Sequence, residues 1–314
     1  MKIRVGTRAS ELARSQTAWV VTELRRHHAD LEVEEILVRT RGDADRVTPL
    51  ERQGGVGLFT KELERALLDR EIDLAVHSLK DLPTAMTAGL VLAATPVREE
   101  PWDVWISDEW PDLIDLPPGA KVATGSPRRR LQILHRFPHL EVIGIRGNID
   151  TRLERYRDLG AAGVVLAAAG LRRTGRADRI RAHLGPSEMT PAPGQGALGL
   201  ETRAEDHDLI ALVARLDHAA TRAEVTAERH LLALLEAGCS VPVGALARAS
   251  GAHLTLLGMV VDDRAERLLR LATEGSVAQP LAVAEDLYAR LLASGGAEIV
   301  AALREAGGSH GVAD

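Results

Sequence analysis

A single cysteine, Cys239, stands in a chain of 314 residues, and Phe, Trp and Tyr together make up only 3% of it. One cysteine can form neither an internal disulfide nor a cysteine-only metal site, and it fits a reducing, cytoplasmic compartment. No metal site is expected. So few aromatics offer little for stacking unpaired bases, and the cores must be built mainly from Leu, Val, Ile and Ala. Nowhere do roughly 18 apolar residues run together as a membrane span requires. The opening Met1-Lys2-Ile3-Arg4-Val5-Gly6-Thr7-Arg8 lacks the apolar stretch of a secretory signal. Excess positive charge is missing too: 39 Lys and Arg face 45 Asp and Glu, a formal net charge of −6. Nucleic acid or an anionic membrane would not be captured by bulk attraction. Any bound anion must be held by a local concentration of Arg and Lys.

What the chain does contain is a pattern of strands and helices that runs twice. Lys2–Gly6 reads as a strand, Ser10 as the N-cap of a helix reaching about His27, and Leu31–Thr40 as a strand. A polar, glycine-rich loop (41–57) precedes a helix over Leu58–Arg70 and a short buried strand over Ile72–Val76. Pro96, Pro101, Pro111, Pro117 and Pro118 mark a crossing, after which the order restarts. Lys121–Thr124, Glu141–Ile145 and Gly163–Ala167 read as strands, with helices over Pro127–His135 and Thr151–Leu159. The fold class expected is α/β: two similar domains flanking a cleft, plus a smaller C-terminal α+β domain. The boundaries are 1–96 with 197–214, then 102–190, then 219–314. The Pro- and Gly-rich run from Pro191 to Ala197 reads as a hinge. In the last domain a helix from Ala219 leads to Gly238-Cys239, followed by strands around Leu254–Val261, a helix near Leu281–Ser294 and a frayed tail after Gly307.

Basic residues concentrate between Lys121 and Arg155, where Arg128, Arg129, Arg130, Arg136, Arg146, Arg152 and Arg155 face only Glu141, Asp150 and Glu154. Several sit where a strand ends or a helix begins, the places where α/β folds bind anions. Arginine's planar fork suits a polycarboxylate or phosphate. The same run would also serve as a solvated helix face. His77-Ser78-Leu79-Lys80-Asp81-Leu82-Pro83 brings a hydroxyl, an ammonium and a carboxylate to a strand's carboxyl end, an arrangement suited to charge stabilisation or proton transfer. Alternatively Asp81 is a turn residue before Pro83 and Lys80 its exposed neighbour. Gly54-Gly55-Val56-Gly57 lacks the Gly-Lys-Ser/Thr of a P-loop, so no nucleotide is expected. Cys239, past a helix C-terminus, sits where the dipole disfavours a thiolate. It is either a buried small hydrophobe or an attachment point alkylated once.

Taken together, Thr40-Arg41-Gly42-Asp43, Gly57-Leu58-Phe59-Thr60-Lys61-Glu62-Leu63, the His77–Pro83 segment, Arg146-Gly147-Asn148, Pro193-Gly194-Gln195-Gly196 and Gly238-Cys239 resemble the porphobilinogen deaminase (hydroxymethylbilane synthase) family. The resemblance runs in order from Arg8 to about Gly244. It implies a transferase of tetrapyrrole, porphyrin and heme biosynthesis, with two domains similar to periplasmic binding proteins; nothing in the sequence suggests an extensive apolar interface, so a monomer is the default expectation. Such an enzyme joins four porphobilinogen molecules head to tail, releasing ammonia each time, and hands hydroxymethylbilane to uroporphyrinogen III synthase as a downstream partner. The resemblance further implies a dipyrromethane cofactor in thioether linkage to Cys239 and a catalytic carboxylate at Asp81. Binding residues carried over are Arg8, Lys80, Arg128, Arg129, Arg146, Arg152 and Arg173, with Ser10, Ser78, Thr124, Ser126 and Gln195, and with Phe59 and Gly147 from the quoted motifs. Each pyrrole bears an acetate and a propionate, so an arginine-rich site in an acidic protein is what such a substrate requires. The chain departs from the family pattern at Val56, at Gly125 and Pro127 around Ser126, and at Trp102 before Asp103. A solute-binding module without catalysis and a transferase with a cycling cysteine are the rival readings.

Overall fold

The doubled strand–helix order becomes two five-stranded sheets of one topology. The structure, a computed structural model, describes residues 1–38, 60–236 and 242–308. Phe59, Val56 and its glycine-rich run, and Cys239 lie outside the described residues. In chain order come β1 (Lys2–Thr7), α1 (Glu11–His27), β2 (Glu32–Leu37), α2 (Lys61–Leu68), β3 (Leu74–Ser78) and β4 (Leu90–Ala94). Next are β5 (Asp103–Ile106), β6 (Lys121–Ala123), α3 (Pro127–Arg136), β7 (Glu141–Ile143), α4 (Ile149–Asp158), β8 (Gly163–Ala167), α5 (Ala168–Arg173) and β9 (Ala182–Leu184). Then come β10 (Leu198–Arg203), α6 (His207–Val213), α7 (Ala219–Glu236), β11 (Val243–Ser250), β12 (His253–Val261), β13 (Leu268–Ser276), α8 (Pro280–Leu291) and α9 (Ala297–Gly308).

The chain divides into two compact units: Met1–Glu99 with Gly196–Arg222, and Glu100–Gln195 with Ala223–Asp314. The first holds a sheet of order β2-β1-β3-β10-β4, in which β1 runs parallel to β2 and β3 while β10 is antiparallel to β3 and β4. The second holds β7-β6-β8-β5-β9, with β6 parallel to β7 and β8 and β5 antiparallel to β8 and β9. The orders correspond place by place. In each sheet the antiparallel strand is the first after the chain passes over from the other unit.

Both faces of the first sheet are covered, which is why β3 is a near-continuous buried run. Ile3, Val5, Leu74, Val76, Leu198 and Leu200 pack with Val20 and Leu24 of α1 and Leu209 and Val213 of α6. Leu63 and Leu67 of α2 close the other face over Ile72 and Ala75. In the second unit the fully buried Trp105 of β5 lies against β8 at Gly163, where an added Cβ would come within 2.3 Å of the indole and 2.4 Å of the Ile106 carbonyl oxygen. The carbonyl cannot yield without breaking the β5–β8 ladder. Gly163→Ala should therefore cost about 1–3 kcal/mol of stability, read from the urea midpoint at constant slope.

The third sheet, β11-β12-β13, is antiparallel, and its core packs Leu231 and Leu235 of α7 with Leu287 and Leu291 of α8 and Ile299 and Val300 of α9. It belongs to the second unit. Arg270 donates to Thr190 Oγ1 at 2.9 Å, and Leu131 of α3 packs with Met259, Val261 and Ala265.

Several boundaries read from the sequence need revision: the strand expected over Ile72–Val76 runs from Leu74 to Ser78, the one expected to reach Ile145 ends at Ile143, and the helix expected from Thr151 begins at Ile149. The helix expected over Leu58–Arg70 ends at Leu68, because Arg70 adopts a left-handed φ of 57° that no helix continues through. The strand expected to reach Thr40 ends at Leu37. The last helix stops at Leu291; the chain bends over Leu292–Gly296, where Gly295 has φ 97°, and a further helix runs on to Gly308. Gly308, expected to belong to a frayed tail, is the last residue of α9, and residues 309–314 lie outside the described residues.

Candidate active site

In an open α/β sheet, functional groups gather where parallel strands end. In the first unit β1 ends into Arg8 and Ser10, and the adjacent β3 ends into Ser78, Lys80 and Asp81. Ser10 is the N-cap of α1 and accepts from the Ala13 N–H at 3.3 Å, which fixes where the helix begins. One turn of 3₁₀ helix, Leu79–Asp81, comes directly after β3. Three contacts pin that turn. Leu79 is fully buried, its N–H donates to the Ala197 carbonyl at 3.0 Å, and the Leu82 N–H closes back on the Leu79 carbonyl at 3.2 Å. Gln16 of α1 donates to Ser78 Oγ at 2.8 Å. Leu79 is thus the anchor, and Lys80 and Asp81 are the residues it presents: Lys80 exposed, Asp81 half-buried.

The second unit repeats the plan. β6 ends into Thr124 and Ser126, β7 into Arg146 and Gly147, and β8 into α5, whose last residue is Arg173. Ser126 caps α3 as Ser10 caps α1, accepting from the Arg129 N–H at 3.4 Å, with Pro127 in the first helical turn. Asn148 caps α4 by accepting from the Thr151 N–H at 2.9 Å. Gly147, at φ 108°, lets the chain turn so that Arg152 Nε reaches the Gly147 carbonyl at 2.8 Å.

Arg128 and Arg129 differ from the rest of the basic cluster. They are 6% and 5% exposed and share one fully buried carboxylate, Asp103 at the head of β5. Arg128 Nη2 lies 2.8 Å from Asp103 Oδ2 and Arg129 Nη2 lies 2.7 Å from Oδ1. Arg129 Nε also donates to Asp103 Oδ1 at 3.0 Å, and two further donors meet main-chain oxygens: Arg128 Nη1 the Thr190 carbonyl at 2.6 Å, Arg129 Nη1 the Val165 carbonyl at 3.0 Å. Gln195, also fully buried, donates to Asp103 Oδ1 at 2.8 Å and to the Pro101 carbonyl at 2.7 Å. Burial alone would raise the Asp103 carboxyl, but the charges of Arg128 and Arg129 and the hydrogen bonds from Arg129 and Gln195 hold it at about 2. Burial pushes Arg128 below its ordinary range, against the attraction of Asp103. This knot joins the first turn of α3 to the segment before β10.

Sequence reasoning missed Asp103 as the counter-charge of the paired arginines, since it lies outside the stretch they occupy. Its only signal was its place after Pro101-Trp102. Trp102, where the family pattern differs, carries a cation–π contact with Arg248, 5.2 Å from guanidinium carbon to ring centre. Arg146 is unlike its buried neighbours: its Nη2 is buried with no hydrogen-bond partner among the described residues. An unpaired guanidinium nitrogen beside a helix N-terminus fits an incoming carboxylate. A dipyrromethane, which bears carboxylates on each ring, fits that donor set, with Thr124, Ser126, Arg146 and Arg152 as the groups that would hold it.

Fold and site together define an α/β protein of twin sheets whose basic and hydroxyl groups collect at parallel strand ends. The family described as "Porphobilinogen deaminase, dipyromethane cofactor binding domain" matches residues 3–211, and "Porphobilinogen deaminase, C-terminal domain" matches residues 222–293. A porphobilinogen deaminase of Desulforudis audaxviator is 45% identical, over 96% of this chain and 98% of its own. One from Syntrophus aciditrophicus is 44% identical over 94% and 96%, and one from Moorella thermoacetica 43% identical over 99% of both. A periplasmic substrate-binding protein of an ABC transporter from Coxiella burnetii shares 16% identity, covering 70% of this chain and 94% of its own at a TM-score of 0.43. The chain belongs to the porphobilinogen deaminase family and is a transferase. No helix among the described residues is long and apolar enough to cross a membrane.

Proposed function

We propose that this protein joins four porphobilinogen molecules head to tail, with loss of ammonia at each step, to give hydroxymethylbilane. The observation that carries the reading is the Leu79-anchored turn, which holds the Asp81 carboxylate at the end of β3 beside the basic end of β1. Dipyrromethane, in thioether linkage to Cys239, supplies when bound a free pyrrole carbon for the growing chain. Arg8 and Lys80 in the first unit, and Arg146, Arg152 and Arg173 in the second, take the acetate and propionate groups. Ser10, Ser78, Thr124 and Ser126 add neutral donors. Arg128, Arg129 and Gln195 contribute by fixing the start of α3. Asp81 stabilises the cationic character that a pyrrole gains as ammonia leaves, and it takes up and returns the proton at its carboxylate.

The same reading places the protein in the cytoplasm as a monomer of three domains: 1–96 with 197–214, 102–190 and 219–314. Its product passes to uroporphyrinogen III synthase. The test is the intact mass of the purified protein together with ammonia release from porphobilinogen. A mass excess of two porphobilinogens less two ammonias, absent from Cys239→Ser, is expected. An active protein of unmodified mass would overturn the cofactor assignment, and a pure protein that binds porphobilinogen without releasing ammonia would overturn the function.

A further inference from the structure

Central strands of a sheet covered on both faces are poor places for charge, yet β10 carries Glu201 there, fully buried. Its Oε2 lies 3.0 Å from Nε2 of His77, whose side chain is 3% exposed, and its Oε1 is buried with no hydrogen-bond partner among the described residues. His77 is the next-to-last residue of β3, one before Ser78 and four before Asp81. The β3–β10 register pairs Ser78 with Leu198, His77 with Gly199 and Ala75 with Glu201. His77 and Glu201 therefore stand diagonally across the ladder on one face. Gly199 lies directly opposite His77 on that face, where an added Cβ would lie 3.0 Å from a methyl of Leu79. The residue that anchors the Asp81 turn thus packs onto the strip of β10 that carries the Glu201 carboxylate.

A well-packed apolar pair could fill such a place at equal or better stability, so net stabilisation does not explain it. Register does. Val76 faces Leu200, and Leu198 lies two places along the same face of β10, so a slip of two residues, which keeps every side chain on its own face, would lose little apolar packing. Such a slip would carry the Leu79–Asp81 turn about 6.6 Å along the sheet and separate His77 from its only described partner, leaving a buried carboxylate unmatched. We infer that His77 and Glu201 are positioning residues for the proposed reaction: their buried hydrogen bond locks the β3–β10 register and thereby places Asp81. Neither touches the substrate; both act through the backbone of the turn.

The inference rests on the proposed function for its kinetic readout and on amide exchange for an independent one. His77→Phe/Glu201→Leu is compared with wild type and with His77→Gln/Glu201→Gln, whose amides keep a hydrogen bond across the ladder. In the apolar pair the urea midpoint should be equal or higher. Its kcat should fall at least roughly a hundredfold with KM within about twofold, since an ångström of misplacement can already cost that much. The Leu79 amide, bonded to the Ala197 carbonyl, should exchange faster. The Gln pair should recover most of the kcat and of the Leu79 protection. Wild-type kcat and unchanged Leu79 exchange in the apolar pair overturn the inference. If the apolar pair does not fold, a Gln pair as impaired as His77→Gln alone overturns it. A wild-type protein inactive on porphobilinogen would remove the proposed function, while the Leu79 exchange would still judge the lock.

Discussion

Asp81→Asn should bind porphobilinogen with a KM within a few-fold of wild type and turn it over about 10²- to 10⁴-fold more slowly. Asparagine keeps the size of the side chain and one hydrogen-bonding oxygen; what it removes is the charge. The turn that carries position 81 is held by Leu79 and Leu82 rather than by Asp81 itself, so the substitution leaves the scaffold intact. The loss then measures the electrostatic and proton-transfer work of the carboxylate. Asp81→Glu keeps the charge and moves it by one methylene. Because an ångström of misplacement can cost about a hundredfold, its kcat should also fall, by less than in Asp81→Asn. Single-turnover ammonia release separates chemistry from product release. Near-normal turnover by Asp81→Asn would remove Asp81 from the reaction, and a KM raised in proportion to the loss would make it a binding group instead.

The twin α/β plan was legible because it is written locally. Ser10 and Ser126 each stand one residue before a helix and cap it, and the apolar stripe of α2 shows at helical spacing. The strand ends that carry Arg8, Ser78, Asp81, Thr124 and Arg146 emerge from those boundaries. What the sequence hid are strands that look polar because their charged residues are paired inside. In β10, Leu-Gly-Leu-Glu-Thr-Arg ends on a carboxylate, a hydroxyl and a guanidinium, yet every residue of it is buried. Arg203 donates to the Leu67 and Ile72 carbonyls at 2.7 Å each and lies 2.9 Å from Asp73, while Glu201 meets His77. Those partners lie more than a hundred positions away, beyond any periodicity window. The same cause hid Asp103: counting charges along the Lys121–Arg155 stretch makes Arg128 and Arg129 an uncompensated pair, and only the β5–β8 pairing brings their carboxylate to them. Loop geometry was the other gap. Nothing in the residue type marks Arg70 as left-handed, so the end of α2 could not be placed to the residue.

Asp103→Asn should be the most damaging single substitution to stability in the second unit, lowering it by about 3–5 kcal/mol at pH 7. The amide occupies the space of the carboxylate but leaves two guanidinium groups buried without a counter-charge and repelling each other. Gln195 keeps the Pro101 carbonyl and loses its bond to a charged oxygen. For a protein whose whole stability is on the order of 5–15 kcal/mol, that is a large share. The sign of the pH dependence gives a second test. In the folded protein Asp103 is depressed from 3.8 to about 2, so its contribution is fully present above the unfolded value and is lost as pH falls through the folded one. Wild type should therefore shed roughly 2 kcal/mol between about pH 4 and pH 2 through this group, and the variant should lack that part of the acid slope. Urea midpoints at pH 7 and through the acid range measure both. The damage should reach the site as well, since Arg128 and Arg129 open α3, and Ser126 caps the same turn. Holoprotein from the variant should show reduced occupancy by mass even at temperatures where it is folded. A variant within about 1 kcal/mol of wild type, with its acid slope intact, would mean that the paired arginines find their counter-charge elsewhere and that Asp103 does not hold α3 in place.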